Sequence, residues 1–361
     1  MHHMKHMVNK KLKVINDLIN NSTLNEEVRK IQFSGKSSYM LSLPKKWVDE
    51  MGLKSGDQVT VGKQSNASLI ITPRGNIDHG IKSEIRIELS PKDSAGSLVR
   101  KLISLYLSGY KIIHVSAKNG LLNSTQRDVV KEAGRRHLAG TEIVADSSEG
   151  ITLQVLLSYP ELSVENALRR IFLIVSSMHK DAMHALTLLD KDSAKGVIKT
   201  DDEVDRFCIY IIRQLKMAVQ SDRILKDIGL TTPTDCLGYR LIVKSVERVA
   251  DHAVKIAQRV LIIDSPIDKS INDEINRLSE FSLNLFDESG LALFKRDYEM
   301  ADKIVEKAEL IIPRRNDLLN LIEKNKHVES YTPLYLITEN IRRTAEYASD
   351  IAEVVLNMTI E

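Results

Sequence analysis

The chain has 361 residues, enough for two or three domains, and its 43% hydrophobic and 28% charged content is that of a soluble globular protein rather than a disordered or fibrous one. Its 51 basic residues face 49 acidic ones, a net charge of only +2, so affinity for nucleic acid has to come from local clustering. The two cysteines, Cys208 and Cys236, lack the spacing of a zinc or redox motif, and the longest apolar runs, 171–175 and 260–263, are too short to cross a bilayer, so the expectation is a cytoplasmic protein that is not membrane-embedded.

Residues 1–26 are a basic extension without the apolar core and small-residue cleavage site of a signal peptide. A small unit follows at 27–76. Alternation predicts strands at 28–33 and 38–43 around a Ser34-Gly35-Lys36 turn, with Tyr39, Leu41 and Leu43 on one face. Pro44 opens a short helix whose apolar side is Trp47, Val48 and Met51 and whose stop is Gly52; strands at 58–62 and 68–72 complete the unit. So few apolar residues make a thin core, and dimerisation is expected. Gly35-Lys36-Ser37 has the tail of a phosphate-cradling G-x-x-x-x-G-K-[ST] loop, but Lys30 stands where the first glycine belongs and Pro44 interrupts the helix that should follow. A nucleotide loop is therefore excluded.

Between 29 and 74 the cations Arg29, Lys30, Lys36, Lys45, Lys46, Lys54, Lys63 and Arg74 oppose only Asp49, Glu50 and Asp57. Lys45 and Lys46 occupy the positive end of their helix and Asp49 and Glu50 its other half, against the macrodipole, at a cost of about 0.3–1 kcal/mol for each exposed charge. An anionic partner offsets that cost; the bland alternative is a solvated lysine face.

Residues 81–158 alternate strands at 84–89, 110–115, 141–145 and 151–156 with helices at 94–107 and 124–137, an α/β spacer module without a catalytic constellation. Arg135-Arg136-His137 reads as a solvated helix end. From 163 onward the pattern is helical, with breaks near 190–193, 229–235, 264–268, 296–298 and 324–332, giving six helices. The segment LIVKSVERVADHAVKIAQRVL at 241–261 realigns with LITENIRRTAEYASDIAEVVL at 336–356, and Leu241, Ile242, Arg248, Ala250, Ala253, Ile256, Ala257, Val260 and Leu261 recur as identical residues. A three-helix unit has been copied, at 161–263 and 268–361.

Carboxylates recur four apart, on one helix face, as Asp201/Asp205, Glu247/Asp251 and Glu346/Asp350. Like charges so placed invite a cation between helices, and oxygen ligands favour Mg²⁺, Ca²⁺, Mn²⁺ or oxidised iron; the alternative is a face neutralised by Arg206, Arg248 and Arg343. His252 reads as a packing residue, because its repeat counterpart is Tyr347. His179 and His184, five apart, miss the spacing of a helical metal pair. No histidine or acid is placed to activate Ser37 or Ser38, so no enzymatic activity is expected.

Two resemblances give these patterns a family context. VRKIQFSGKSSYMLSLPKKWVDEMGLKSGDQVTV, followed by SLIITP, resembles the AbrB/SpoVT swapped-hairpin DNA-binding domain, which implies an intertwined homodimer with Arg29, Lys30, Lys36, Lys45 and Lys46 as DNA contacts. VIKTDDEVDRF, ERVADHAVKIAQ and RTAEYASDIAE resemble the metal-binding E/D-x-x-x-D helices of PhoU domains. That implies iron, zinc, magnesium or manganese at Asp201, Asp205, Glu247 and Asp251. In the second repeat Ala308 and Ile312 replace Asp201 and Asp205 and Arg342 replaces Glu247, leaving only Glu346 and Asp350. The whole order resembles archaeal phosphate-uptake regulators and implies an α+β multidomain protein: a small β-rich swapped-hairpin domain, an α/β spacer, then two tandem three-helix bundles. The implied function is DNA-binding regulation of phosphate uptake, with the helical half sensing metal, phosphate status or a partner. The alternative is a signalling adaptor that restrains a phosphate transporter's ATPase or a sensor protein without binding DNA.

Overall fold

A computed structural model describes residues 27–35, 37–63, 68–73, 83–118, 120–156, 163–324 and 331–360. The basic extension at 1–26 and Lys36 lie outside the described residues. The chain divides into two compact units, Met1–Asp78 and His79–Glu361.

In the first unit β1 (Gln32–Ser34) pairs antiparallel with β2 (Ser38–Met40), and β3 (Val59–Lys63) pairs antiparallel with β4 (Leu69–Pro73). Helix α1 (Lys45–Glu50) lies between the two hairpins. It starts after Pro44 and ends as foreseen: Gly52 is left-handed at φ 67°, its N–H donates to Asp49 O and that of Leu53 to Val48 O, the paired bonds of a Schellman stop. The first hairpin is shorter than the alternation predicts. Residues 28–31 and 41–43 carry strand-like sequence but find no ladder partner among the described residues.

The second unit begins with a mixed sheet in the order β5-β6-β8-β7, built from β5 (Glu84–Leu89), β6 (Ile112–Ala117), β7 (Thr141–Asp146) and β8 (Gly150–Val155). Helix α2 (Ala95–Leu107) makes the crossover that leaves β5 and β6 parallel, and α3 (Ser124–His137) leads into the β7–β8 hairpin. Ser94 and Asn123 cap these helices, accepting from Ser97 N and Gln126 N. Leu89, Leu98, Leu102, Tyr106, Ile113, Val130 and Leu153 form the core between sheet and helices. Gly150 has to be glycine, because a Cβ there would lie 2.7 Å from Val115 O on the neighbouring strand.

The helical part comprises α4 (Val164–Leu188), α5 (Lys191–Ala218), a short α6 (Asp222–Asp227) and α7 (Asp235–Val260), then α8 (Lys269–Lys295), α9 (Tyr298–Ala308), α10 (Ile311–Lys324) and α11 (Tyr331–Ile360). The six-helix reading is corrected at two places. α6 is an added turn, and the helix expected across 299–323 breaks at Glu309-Leu310, where Pro313 has no N–H to return to the Glu309 carbonyl. The two repeats turn their first corner identically: Leu189 and Arg296, at φ 52° and 50°, end α4 and α8, and Asp190 and Asp297 cap the next helix. Helices α7 and α11 pack together, and the repeated residues Ile242/Ile337, Ala250/Ala345, Ala253/Ala348, Ile256/Ile351 and Ala257/Ala352 are all buried. The identity between repeats is thus a core face, with alanines letting the helices approach.

The α/β module docks on this bundle. Helices α2 and α3 rest against α5, and the buried Arg213 of α5 donates to Tyr106 O, to Gly109 O at 3.1 Å and to Tyr110 O at 3.0 Å. One guanidinium thereby caps the carbonyl end of α2, the negative pole of that helix.

Candidate functional site

In the first unit the cations that the sequence singled out flank the β1–β2 hairpin. Arg29 and Lys30 precede β1, and Lys45 and Lys46 open α1, all exposed. Arg29 pairs with Glu27, and Lys46 with Glu50 at 3.9 Å. α1 has six residues, under two turns, so the macrodipole conflict is smaller than the sequence suggested and the Lys46–Glu50 pair offsets part of it. Around these cations the unit leaves its apolar residues uncovered. Pro44 is the one buried residue among those described here, while Ile31, Phe33, Tyr39, Met40, Val61 and Leu69 are each more than half exposed. Phe33 and Tyr39 face each other across the β1–β2 pair, ring centroids 5.2 Å apart.

The acidic cluster lies where α5 packs against α7. Asp201 and Asp205 face Glu247 and Asp251, all four half-buried. Burial, then the neighbouring charges of Asp205 and Asp251, lifts the Asp201 carboxyl to about 7. Burial, then Glu247 and Asp251, lifts Asp205 to about 6, with Lys244 pulling the other way. Lys244 Nζ sits 2.5 Å from Glu247 Oε1. Cys208, one turn along α5, is raised by burial first and then by Glu247 and Asp205. Asp202, beside the cluster, turns to the α/β module and accepts from Arg136 at 2.5 Å. The all-oxygen donor set and the short supply of counter-cations suit a hard metal ion. Among the described residues, however, no three histidine, cysteine or acidic side chains converge in a way that would hold one.

The second repeat has exchanged this chemistry for internal pairs. Ala308 is buried and Ile312 exposed at the positions of Asp201 and Asp205. Arg342 bonds Glu339 at 2.5 Å and also Glu346, while Arg343 bonds Glu346 at 2.5 Å and the Tyr347 hydroxyl at 2.6 Å. Glu346 is therefore neutralised by two guanidinium groups, and Asp350, on the exposed side, lies in the field of Arg343 and Arg248.

His252 packs as expected: its Nδ1 lies 2.6 Å from Asn340 Oδ1 and its ring rests on Tyr347, its own repeat counterpart. His179 is fully buried, with Nε2 2.8 Å from Ser279 Oγ. Both cysteines are free and buried, and no helix of the described residues is long and apolar enough to cross a membrane.

The PhoU domain profile matches residues 168–260 and 275–355, and the profile described as antidote-toxin recognition MazE, bacterial antitoxin, matches residues 32–78. The phosphate-specific transport system accessory protein PhoU homolog of Aquifex aeolicus is 27% identical over 158 residues, which is 42% of this chain and 66% of that protein. The homolog of Borreliella burgdorferi is 23% identical over 189 residues, 48% of this chain and 82% of that one. The crystal structure of PhoU from Pseudomonas aeruginosa is similar at TM-score 0.48 and 18% identity, across 54% of this chain and 94% of that one.

Proposed function

This chain carries two tandem PhoU domains behind a MazE/AbrB-like N-terminal domain, and from that premise we propose that it is a cytoplasmic, homodimeric, DNA-binding regulator of phosphate uptake. The observation that carries the reading is the first unit. A small fold whose apolar residues are exposed in one chain needs a partner, since monomers rarely expose so much apolar surface. A second copy supplies ladder partners for the strand-like residues 28–31 and 41–43, and doubles the set Arg29, Lys30, Lys36, Lys45 and Lys46 along the dimer. Phosphate contacts from such a set position the protein on DNA.

In the helical half, Asp201, Asp205, Glu247 and Asp251 are the residues proposed to hold a divalent or iron ion once their carboxylates turn to converge on it, which in the described arrangement they do not; the ion would supply the positive charge that the cluster lacks. Elemental analysis of protein purified without chelator tests this: metal present in the native chain and absent from Asp205→Ala plus Asp251→Ala is expected, and metal-free native protein refutes it.

The DNA reading is tested by titrating the full chain with DNA from upstream of phosphate-transport genes and with unrelated DNA, at two salt concentrations. Tighter, salt-sensitive binding to the upstream DNA is expected, with a log–log slope of about −0.9 per phosphate contact. Lys45→Ala plus Lys46→Ala is expected to flatten that slope; unchanged affinity and slope rule these residues out as contacts. A second reading has its own support, because the MazE profile is described by toxin recognition and two of the cations already have acidic partners. In it the first unit only dimerises, and the chain is an adaptor for a transporter ATPase or a sensor protein. Absence of DNA binding with and without metal selects this alternative.

A further inference from the structure

We infer that the cleft between the α/β module and α5 binds a small oxyanion of the phosphate class through Arg135, Arg206 and the hydroxyl of Thr141. The cleft has a volume of about 350 Å³ and is lined by Arg135, Gly140, Thr141, Glu142, Ile143 and Arg206. Arg135 comes from the last turn of α3, Thr141 opens the edge strand β7, and Arg206 follows Asp205 on α5. The two walls belong to elements already packed together, so the cleft is built by the fold.

Two observations point to an anion. Arg135, which is exposed, and Arg206, which is half-buried, line the same cleft, and among the described residues neither has an acidic partner. Their neighbours do: Arg136 pairs with Asp202 and Glu132, and Arg170 with Glu203. Two cations gathered without a counterion repel, and an oxyanion between them converts repulsion into charge-assisted hydrogen bonds that suit the guanidinium fork. Independently, Thr141 lines the cleft while its Oγ1 is turned away from solvent and has no hydrogen-bond partner among the described residues, so a rotation about χ1 toward a bound anion gives up no bond. Native proteins rarely tolerate an unsatisfied buried hydroxyl, and an oxygen of a bound anion would satisfy this one. Glu142 is the one carboxylate of the lining and is exposed; it disfavours anions large enough to reach it.

The two sequence-adjacent arginines thus have different work. Arg136 pairs with Asp202 of α5 in an exposed ion pair, whereas Arg135 has no acidic partner among the described residues and would join α5 through a ligand shared with Arg206. A bound anion would tie the module to the helix that bears Asp201 and Asp205. The site stands independently of the proposed DNA and metal roles, and its test uses neither.

Calorimetric titration of the full chain, chelator-treated and at constant ionic strength, with orthophosphate, pyrophosphate and ATP in separate arms, decides the matter. Saturable binding of at least one is expected. Arg135→Ala plus Arg206→Ala is expected to weaken it at least ~10-fold, as the loss of charge-assisted bonds implies. Thr141→Val, which keeps the side-chain shape, is expected to weaken it severalfold. Neither variant is expected to melt below the ligand-free wild type, because the arginines have no partners to lose and Thr141→Val removes a hydroxyl that has none. Orthophosphate in preference to ATP identifies the free ion as ligand, and the reverse a phosphorylated metabolite. No saturable heat in any arm up to ~10 mM, or equal affinity in the double variant, overturns the inference.

Discussion

Arg213 offers the sharpest test of how the α/β module is held. It is 2% exposed, donates to three carbonyls at the end of α2, and lies 4.6 Å over the Tyr106 ring. Hydrogen bonds from a charged donor are worth about 1.5–3 kcal/mol each, and the ring contact adds about 0.5–2 kcal/mol. The contributions share one side chain and do not add, and water entering the vacated space recovers part of them, so Arg213→Ala is expected to cost about 3–5 kcal/mol. Arg213→Met separates the causes. It refills most of the space but leaves the carbonyls without a donor, so it should be nearly as damaging as alanine. Urea unfolding measures the loss, and hydrogen exchange at the end of α2 and along β6 locates it, since the module can loosen while the helical repeats stay folded. An Arg213→Met variant within about 1 kcal/mol of wild type, with α2 protection unchanged, would refute the capping argument.

Three further outcomes follow from buried groups. The Asp201 carboxyl, at about 7 in the folded chain against an ordinary 3.8, contributes stability below pH 4 that is lost as pH rises through 7. Discounted for partial exposure, Asp201→Asn is expected to stabilise chelator-treated protein by about 1–2 kcal/mol at pH 8 and to change little at pH 4, measured by melting across pH. His179, at about 4 against 6.5, works in the opposite sense: its contribution is complete above pH 6.5 and declines toward pH 4 by about 3 kcal/mol, so His179→Gln should flatten the acid limb relative to wild type. A Cβ on Gly290 would meet Phe172 Cδ1 at 2.9 Å, and that ring is pinned by stacking on Phe286 at 4.8 Å. Overpacking of about 1–3 kcal/mol then exceeds the helix-propensity gain of about 1 kcal/mol, so Gly290→Ala is expected to lower the melting temperature despite its better intrinsic propensity.

Local chemistry made most element ends readable. Ser94, Asn123 and Ser163 cap helices that begin one residue later, and Gly52 stops α1. The duplicated segment was legible because a buried helix face constrains residue size, and the residues that recur are largely those that lose all contact with solvent. What stayed hidden depends on distance along the chain. Arg213 in IIRQLK looks like any helix-surface cation, since its acceptors lie more than 100 residues upstream. The pairing of Arg135 with Arg206 in one cleft has the same cause. The short β1 and β2 reflect another: alternation reports which residues want a sheet, not where the next strand comes from, which under the proposed function is a second copy. The break before α10 was readable from Pro313, but helical periodicity on both sides masked it.

The two repeats show how a duplicated fold can keep its packing and change its charge. Their shared residues meet at the α7–α11 seam, where any change of size is costly. The acidic positions lie outside that constraint, so they were free to diverge. In the second repeat Arg342 and Arg343 supply the positive charge from within, and Glu346 needs nothing from outside. In the first, Lys244 pairs with Glu247 and only partly offsets the charge on Asp205, and Asp201 and Asp205 hold their charge down by taking up protons more readily than carboxyls in water do. A cluster that has to be neutralised from outside can respond to what is outside; one neutralised by its own arginines cannot. Under the proposed function, the sensing half therefore belongs to the first repeat, on α5, the same helix that carries the α/β module.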